Sequence, residues 1–279
     1  MKKFNINSKL LEDHYVKNGY VLIRGVFEKK FINTISNFLI KNIKKGENKK
    51  LDYHDICNQI MEEFEKMPLY EEILFKKKFK KLLIRFVGQD LCVLNFTTLF
   101  LSAPTNKNPV LNKNEHVDVW TGTGVDSIFV KIFFTDCDNY NGLTLYPGTH
   151  LHGLYPVKNR GLNLPNDIKL NKKINTSNAK KGDVLMWHPL LIHSTTGRSK
   201  KNKRISMTFR FKSTETEFTS QERALGYRTL SVGINNKIKR YIGNDYLSPF
   251  RIYGGKASID KRLSKLYNQN YFKKIIKLK

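Results

Sequence analysis

The chain has 279 residues, 40% hydrophobic and 27% charged, a balance that suits a folded globular domain and excludes a disordered or fibrous one. Fifty Lys+Arg against 24 Asp+Glu give a formal net charge of +26, a field that attracts nucleic acid, phosphorylated metabolites or acidic sugars alike. No apolar run approaches the roughly 18 residues of a spanning helix, so no membrane span is expected. Lysine far outnumbers arginine, and Asn and Ile are abundant, as AT-rich coding DNA alone would produce. The excess charge therefore has a passive explanation beside a ligand-binding one. Cys57, Cys92 and Cys137 form no C-x-x-C pair, which argues against a disulfide framework or thiolate zinc site. The basic start has no apolar stretch behind it to act as a secretory signal, so a cytoplasmic location is expected.

Residues 20–27, β-branched and bounded by Gly19 and Gly25, predict an early strand. Phe31, Ile35, Phe38, Leu39 and Ile43 then recur at helical spacing until Gly46, which should stop the helix. Further helices are predicted over about 52–66 and 69–86; in the latter, Glu71 and Glu72 precede Lys76, Lys77 and Lys78, the order a helix dipole favours. Beyond residue 90 the texture becomes β: short runs at 91–101, 127–135, 143–146, 183–187 and 204–212, separated by turn-rich segments. The pattern predicts one α+β domain with a mainly β core. Residues 1–90 form helical support with one early strand, and 91–215 a double-stranded β-helix, or cupin-like jelly roll. Residues 216–279 form a basic extension whose stretch 256–279 holds eight basic residues against Asp260.

His116-Val117-Asp118 places an imidazole and a carboxylate two residues apart, on one face if the backbone is extended. His193 follows about 75 residues later, after the apolar run Val184–Ile192 broken by His188 and Pro189. Two histidines and one carboxylate occupy one face of an octahedral Fe(II) and leave positions for a bidentate cosubstrate and dioxygen. Arg204 and Ser206 add a guanidinium fork and a hydroxyl on one strand face, suited to a carboxylate.

The chain resembles the phytanoyl-CoA dioxygenase family of Fe(II)/2-oxoglutarate oxygenases over roughly residues 15–212. The resemblance is carried by the strand 19–27, by Asn141-Gly142-Leu143-Thr144-Leu145-Tyr146-Pro147-Gly148-Thr149-His150, by the Gly-Asp-Val-Leu run (182–185) leading toward His193, and by Arg204 eleven residues after it. It implies that His116, Asp118 and His193 hold Fe(II), that Arg204 grips the distal carboxylate of 2-oxoglutarate, and that Thr195 and Ser206 assist. It also implies O2-dependent oxidation of a small substrate with release of succinate, the substrate expected to be an anionic metabolite such as an acyl-CoA, a phosphonate or a sugar-linked compound. Trp120 and Lys131 are candidate pocket residues, for shape and charge, with core or surface placement equally open. His188 is either a substrate contact or a packing residue at a strand end. His150 and His152 read as loop residues, and Asp136 and Asp138 as turn formers. Two other readings stand beside this one. The segment 204–210 also resembles the R-x-N-x-T-x-R run of alkylation-repair demethylases, with serine for asparagine, although no specific nucleic-acid partner is expected. A non-catalytic anion-binding jelly roll is the other. The residues do not specify an oligomeric state.

Overall fold

The computed structural model describes residues 1–102, 114–138, 140–158, 161–164, 170, 172–195 and 203–241, and the chain divides into two units, 1–231 and 232–279. The first unit begins with β1 (Phe4–Asn5), α1 (Leu11–Asn18) and β2 (Tyr20–Arg24). Four helices follow: α2 (Lys29–Asn48), α3 (Tyr53–Phe64), α4 (Pro68–Phe75) and α5 (Lys77–Val87). Then come β3 (Leu91–Leu94), β4 (Thr98–Ser102), β5 (Ile128–Phe133), β6 (Leu143–Leu145), β7 (Val157–Lys158), β8 (Gly161–Leu162) and β9 (Ile174–Asn175). The strands β10 (Val184–Trp187), β11 (His193–Thr195) and β12 (Arg204–Ser213) complete the core, followed by α6 (Ser220–Leu225) and β13 (Tyr227–Thr229). In the second unit, α7 spans Ile234–Tyr241; the basic segment 256–279 lies outside the described residues.

The main sheet runs β1-β2-β10-β5-β12-β3-β13, antiparallel except for β1–β2, and β4 also pairs with β12. A smaller sheet, β11-β6-β9, forms the second layer, as a jelly roll requires. Strands β3 and β4 pair with successive lengths of β12, Phe211 with Val93 and Thr208 with Thr98, so the register steps by two residues between them. The single strand expected over 91–101 breaks there. Likewise β13 pairs with β3, so residues 227–229 of the expected extension belong to the main sheet.

Alternation along β12 separates two interiors. Ile205, Met207, Phe209 and Phe211 pack with Leu39, Phe64, Phe79 and Leu82 of the helices. Arg204, Thr208 and Arg210 instead line a cavity on the other face, together with Leu143 and His193 of the small sheet. A ten-residue strand buried on both faces, one apolar and one cationic, is thus the structural divide of the molecule.

Two helical expectations are corrected. The stretch 69–86 is two helices because its apolar residues change phase. At about 100° per residue, Tyr70, Ile73 and Leu74 would lie opposite Phe79, Leu82 and Leu83 on an unbroken helix. An extended Lys76 (φ −55°, ψ 121°) lets both sets reach the core. Lys77 and Lys78 consequently fall in the first turn of α5, where the dipole disfavours them, so the acid-then-base reading fails. Gly46 does not end α2, which continues to Asn48; it is buried because α3 passes so close that a Cβ there would lie 2.5 Å from Ile56 Cγ1. Gly46→Val is expected to destabilise the fold by about 1–3 kcal/mol through overpacking, read as a lower urea midpoint at unchanged m-value.

Candidate active site

His116 forms an isolated antiparallel bridge with His193, each main-chain N–H donating to the other's carbonyl at 3.0 Å. Directly opposed residues of such a pair send their side chains to the same face, and the two ring centroids lie 4.2 Å apart. Val117 is extended (φ −118°, ψ 146°), which returns Asp118 to the face of His116, although Asp118 opens a 3₁₀ turn to Thr121 instead of continuing a strand. The Asp118 N–H donates to the carbonyl of Pro189 at 2.8 Å, tying that turn to the loop before β11.

One ligand atom from each of His116, Asp118 and His193 falls within 4.8 Å of the other two. Asp118 Oδ1 is 3.9 Å from His116 Nε2, and its Oδ2 is 3.4 Å from His193 Nε2. His116 Nδ1 lies 2.7 Å from the carbonyl of Asn114, and His193 Nδ1 3.0 Å from that of Leu191. A carbonyl only accepts, so each Nδ1 carries the proton and each Nε2 turns its lone pair toward the shared point. The donor set, two imidazoles and a carboxylate with oriented lone pairs, fits a divalent iron ion.

Two supports were not read from the sequence. Trp187 Nε1 donates to Asp118 Oδ2 at 2.8 Å from within a buried strand, where spacing offers no sign of it. Thr149, in the Pro147-Gly148-Thr149-His150 segment, accepts the Ile192 N–H at 3.0 Å, fixing the residue before His193.

The triad opens into a cavity of about 210 Å³ whose lining includes Arg204, Thr195 and Lys131. Arg204 is 3% exposed, and its Nη1 donates to the carbonyls of Asn141 and Gly142. That turn is built by Asp138 Oδ1, which accepts from the Tyr140 and Asn141 N–H groups, while Asn141 Oδ1 accepts from the Asp138 N–H. A Cβ at Gly142 would lie 2.2 Å from Asn175 Oδ1, so any side chain there would have to displace the Asn175 amide. Arg204 Nε and Ser206 Oγ are buried without a hydrogen-bond partner among the described residues. Burial pulls the Arg204 pKa below its ordinary value, with Cys137 and Asp138 opposing. Unused buried donors beside a metal-type donor set fit a carboxylate-bearing cosubstrate such as 2-oxoglutarate.

Lys131, 3% exposed, donates to Thr208 Oγ1 at 2.7 Å, and its Nζ lies 3.8 Å from the Phe100 ring centroid. Trp120 packs instead in a separate apolar cluster with Val117, Tyr146, Tyr155 and Ile192 and does not line this cavity. His188 is also outside the lining: its N–H donates to the Gly19 carbonyl, its Nδ1 accepts from Leu190, and its ring packs near His150. Burial, then His150, pushes its pKa down to about 4, so it stays neutral near pH 7. The cavity also includes Arg210 and Thr208, read from the sequence only as positions of the demethylase-like run 204–210, and Phe129, which was not singled out. The strand alternation that relates Arg204 to Ser206 would have found the first two.

Two layers of antiparallel sheet around a His-Asp-His set define a cupin-like oxygenase. The chain belongs to the phytanoyl-CoA dioxygenase family, whose profile matches residues 15–205, and is thus a 2-oxoglutarate-dependent non-haem iron oxygenase. The fold is similar to that of the non-heme monooxygenase ThoJ, at 16% identity and a TM-score of 0.61 over 80% of this chain and 84% of that one. It is also similar to SnoK, a non-heme α-ketoglutarate-dependent carbocyclase from nogalamycin biosynthesis, at 15% identity and TM-score 0.56 over 81% and 93%. EctD from S. alaskensis with bound Fe aligns at 12% identity and TM-score 0.56 over 75% and 78%. No curated protein sequence matches the chain. No helix among the described residues is long and apolar enough to cross a membrane.

Proposed function

We propose that the whole chain serves one dioxygenase domain that hydroxylates a small anionic metabolite, an acyl-CoA, phosphonate or sugar-linked compound, in the cytoplasm. His116, Asp118 and His193 hold Fe(II), and Arg204, helped by Ser206 and Thr195, binds the distal carboxylate of 2-oxoglutarate. The observation that carries this reading is the pairing of three converging ligand atoms with unused buried donors nearby, the Nε of Arg204, which lines the same cavity, and the Oγ of Ser206, two residues on along β12 and outside the lining. Fe(II) with 2-oxoglutarate and O2 supplies the oxidising power for a C–H bond, releasing succinate and CO2.

The chain's own residues orient and exclude. The Asn114 and Leu191 carbonyls keep both imidazoles in the ligating tautomer, and Trp187 holds one carboxylate oxygen of Asp118. Phe100, Phe129 and Trp187 wall the cavity and limit water around the reacting groups. All three cysteines are buried and free, and burial pushes the thiols of Cys57 and Cys92 up to about 12 and that of Cys137 to about 11. Unpaired, protonated thiols suit a reducing compartment.

The test is succinate release by iron-loaded protein against CoA esters, nucleotide sugars, phosphonates and a methylated oligonucleotide. Turnover of a small anion, weakened only modestly between 50 and 200 mM salt, is expected. Demethylation of the oligonucleotide, with binding that falls about 10³–10⁵-fold over that range as six to ten phosphate contacts would require, would replace this reading with the repair-enzyme one. Failure of every small anion to stimulate succinate release would favour the non-catalytic jelly roll.

A further inference from the structure

We propose that Arg210 is the substrate's anchor, binding a carboxylate or phosphate on the molecule to be oxidised; this deepens, and rests on, the oxygenase reading above. Arg210 lies on β12 six residues past Arg204, an even spacing that keeps both guanidinium groups on the cavity face. It is 7% exposed. Its Nη1 donates to Thr123 Oγ1 at 3.0 Å, and its guanidinium carbon lies 4.5 Å from the Phe96 ring centroid and 5.2 Å from that of Phe129. No carboxylate among the described residues lies within ion-pair distance of it.

Lys212, two residues on and on the same face, shows how this fold treats a buried cation with a structural role. Its Nζ lies 3.0 Å from Glu222 Oε2 and 3.1 Å from Asp126 Oδ1. Glu222 in turn accepts from the Gly124 and Thr219 N–H groups and from Ser127 Oγ, pinning the chain around residues 122–127. Asp118 and Glu222 attract Arg210 only from beyond bonding distance, and burial lowers its pKa, the mark of a charge taken out of water. A desolvated guanidinium with two aromatic faces and an open fork is a receptor for an oxyanion.

Its place relative to the triad assigns the oxyanion to the substrate. Trp187, which bonds Asp118, is in register with Phe129 of β5, and Phe129 with Arg210, so Arg210 stands level with the metal-type donors. Arg204 and Ser206, with the unused donors suited to the cosubstrate, lie further along β12. Thr121 and Gln221 line the same cavity and offer further polar groups, while Phe96, Phe100 and Phe129 present an apolar wall. The ligand class that fits is an anion joined to an apolar or ring-shaped body.

The probes are phenyl phosphate, benzoate and neutral phenol, titrated by calorimetry into anaerobic protein loaded with Fe(II) and 2-oxoglutarate. Absorbance of the iron–cosubstrate complex is followed in parallel. Wild-type protein is expected to bind at least one of the two anions about tenfold or more tightly than phenol, and the preferred anion distinguishes phosphate from carboxylate. Arg210→Gln should lose that preference while keeping the absorbance band and the 2-oxoglutarate affinity; Arg210→Lys, with charge but no fork, should fall between. Equal anion binding by wild type and Arg210→Gln, no anion binding by wild type, or a parallel loss of 2-oxoglutarate in the variant would overturn the proposal. If Arg210→Gln does not fold, anion binding by Arg210→Lys as tight as wild type would overturn the fork as its basis, and intermediate binding would support it. Absence of the band from wild-type protein strikes the oxygenase reading instead, and calorimetry still reads the anion site by itself.

Discussion

Asp118→Ala is expected to remove stoichiometric Fe(II) binding and reduce substrate-stimulated succinate release to background. The carboxylate is the only anionic member of the converging set, and it sits between two imidazole Nε2 atoms at 3.9 and 3.4 Å. Two neutral imidazoles alone hold a divalent ion poorly and leave its charge unbalanced. The loss should be local, because the backbone anchors of the turn, the Asp118 N–H to Pro189 and the Thr121 hydroxyl to the Asp118 carbonyl, survive truncation of the side chain. Trp187 Nε1 is left without its acceptor, so a stability cost of about 1–3 kcal/mol accompanies the loss of metal. Trp187→Phe provides the graded counterpart. It keeps the ring and removes the donor, and metal affinity should fall about 10- to 100-fold, as for other residues that orient a ligand. Metal content by elemental analysis and anaerobic Fe(II) titration check both variants. An Asp118→Ala protein that binds one iron and turns over normally would end the triad assignment.

Arg204→Gln is expected to weaken 2-oxoglutarate binding by about 1.5–3 kcal/mol, the value of hydrogen bonds to a charged group, or roughly 10- to 150-fold in Kd. Arg204 also supports the turn at Asn141 and Gly142, so part of any effect is structural. Two further measurements separate the contributions. Ser206→Ala removes a buried hydroxyl that has no partner among the described residues; it should cost little stability yet weaken the cosubstrate several-fold. Melting curves recorded without 2-oxoglutarate report the turn alone. If Arg204→Gln loses stability but binds 2-oxoglutarate as wild type does, the distal carboxylate is held elsewhere.

Much of this site was legible because its ligand residues lie in short local patterns. An extended residue between His116 and Asp118 puts both side chains on one face whatever surrounds them, and Val117 is extended. The apolar run Val184–Ile192 and the strand of Arg204 could be read from β-rich texture, and the order of these pieces carried the family resemblance. Helix α2 followed from apolar spacing, because it buries a single face of Phe31, Ile32, Ile35, Leu39 and Ile43. Where two apolar phases met, at Lys76, the same reasoning could not tell one helix from two.

What the sequence determined by itself was the chemistry available: two imidazoles, a carboxylate and an arginine at spacings that suit a β framework. Only the tertiary structure decided how they meet, because the contacts that matter join residues far apart in the chain. The His116–His193 bridge closes over 77 positions, and Trp187 reaches Asp118 across 69. Tertiary packing also decided which candidates face the cavity, sending Trp120 and His188 elsewhere and turning Arg210 inward. Strand alternation sets which residues share a face, but which face encloses the cavity depends on what the rest of the chain lays against it. On β12 the helices cover the apolar side, and the small sheet and the Asp118 turn enclose the cationic one.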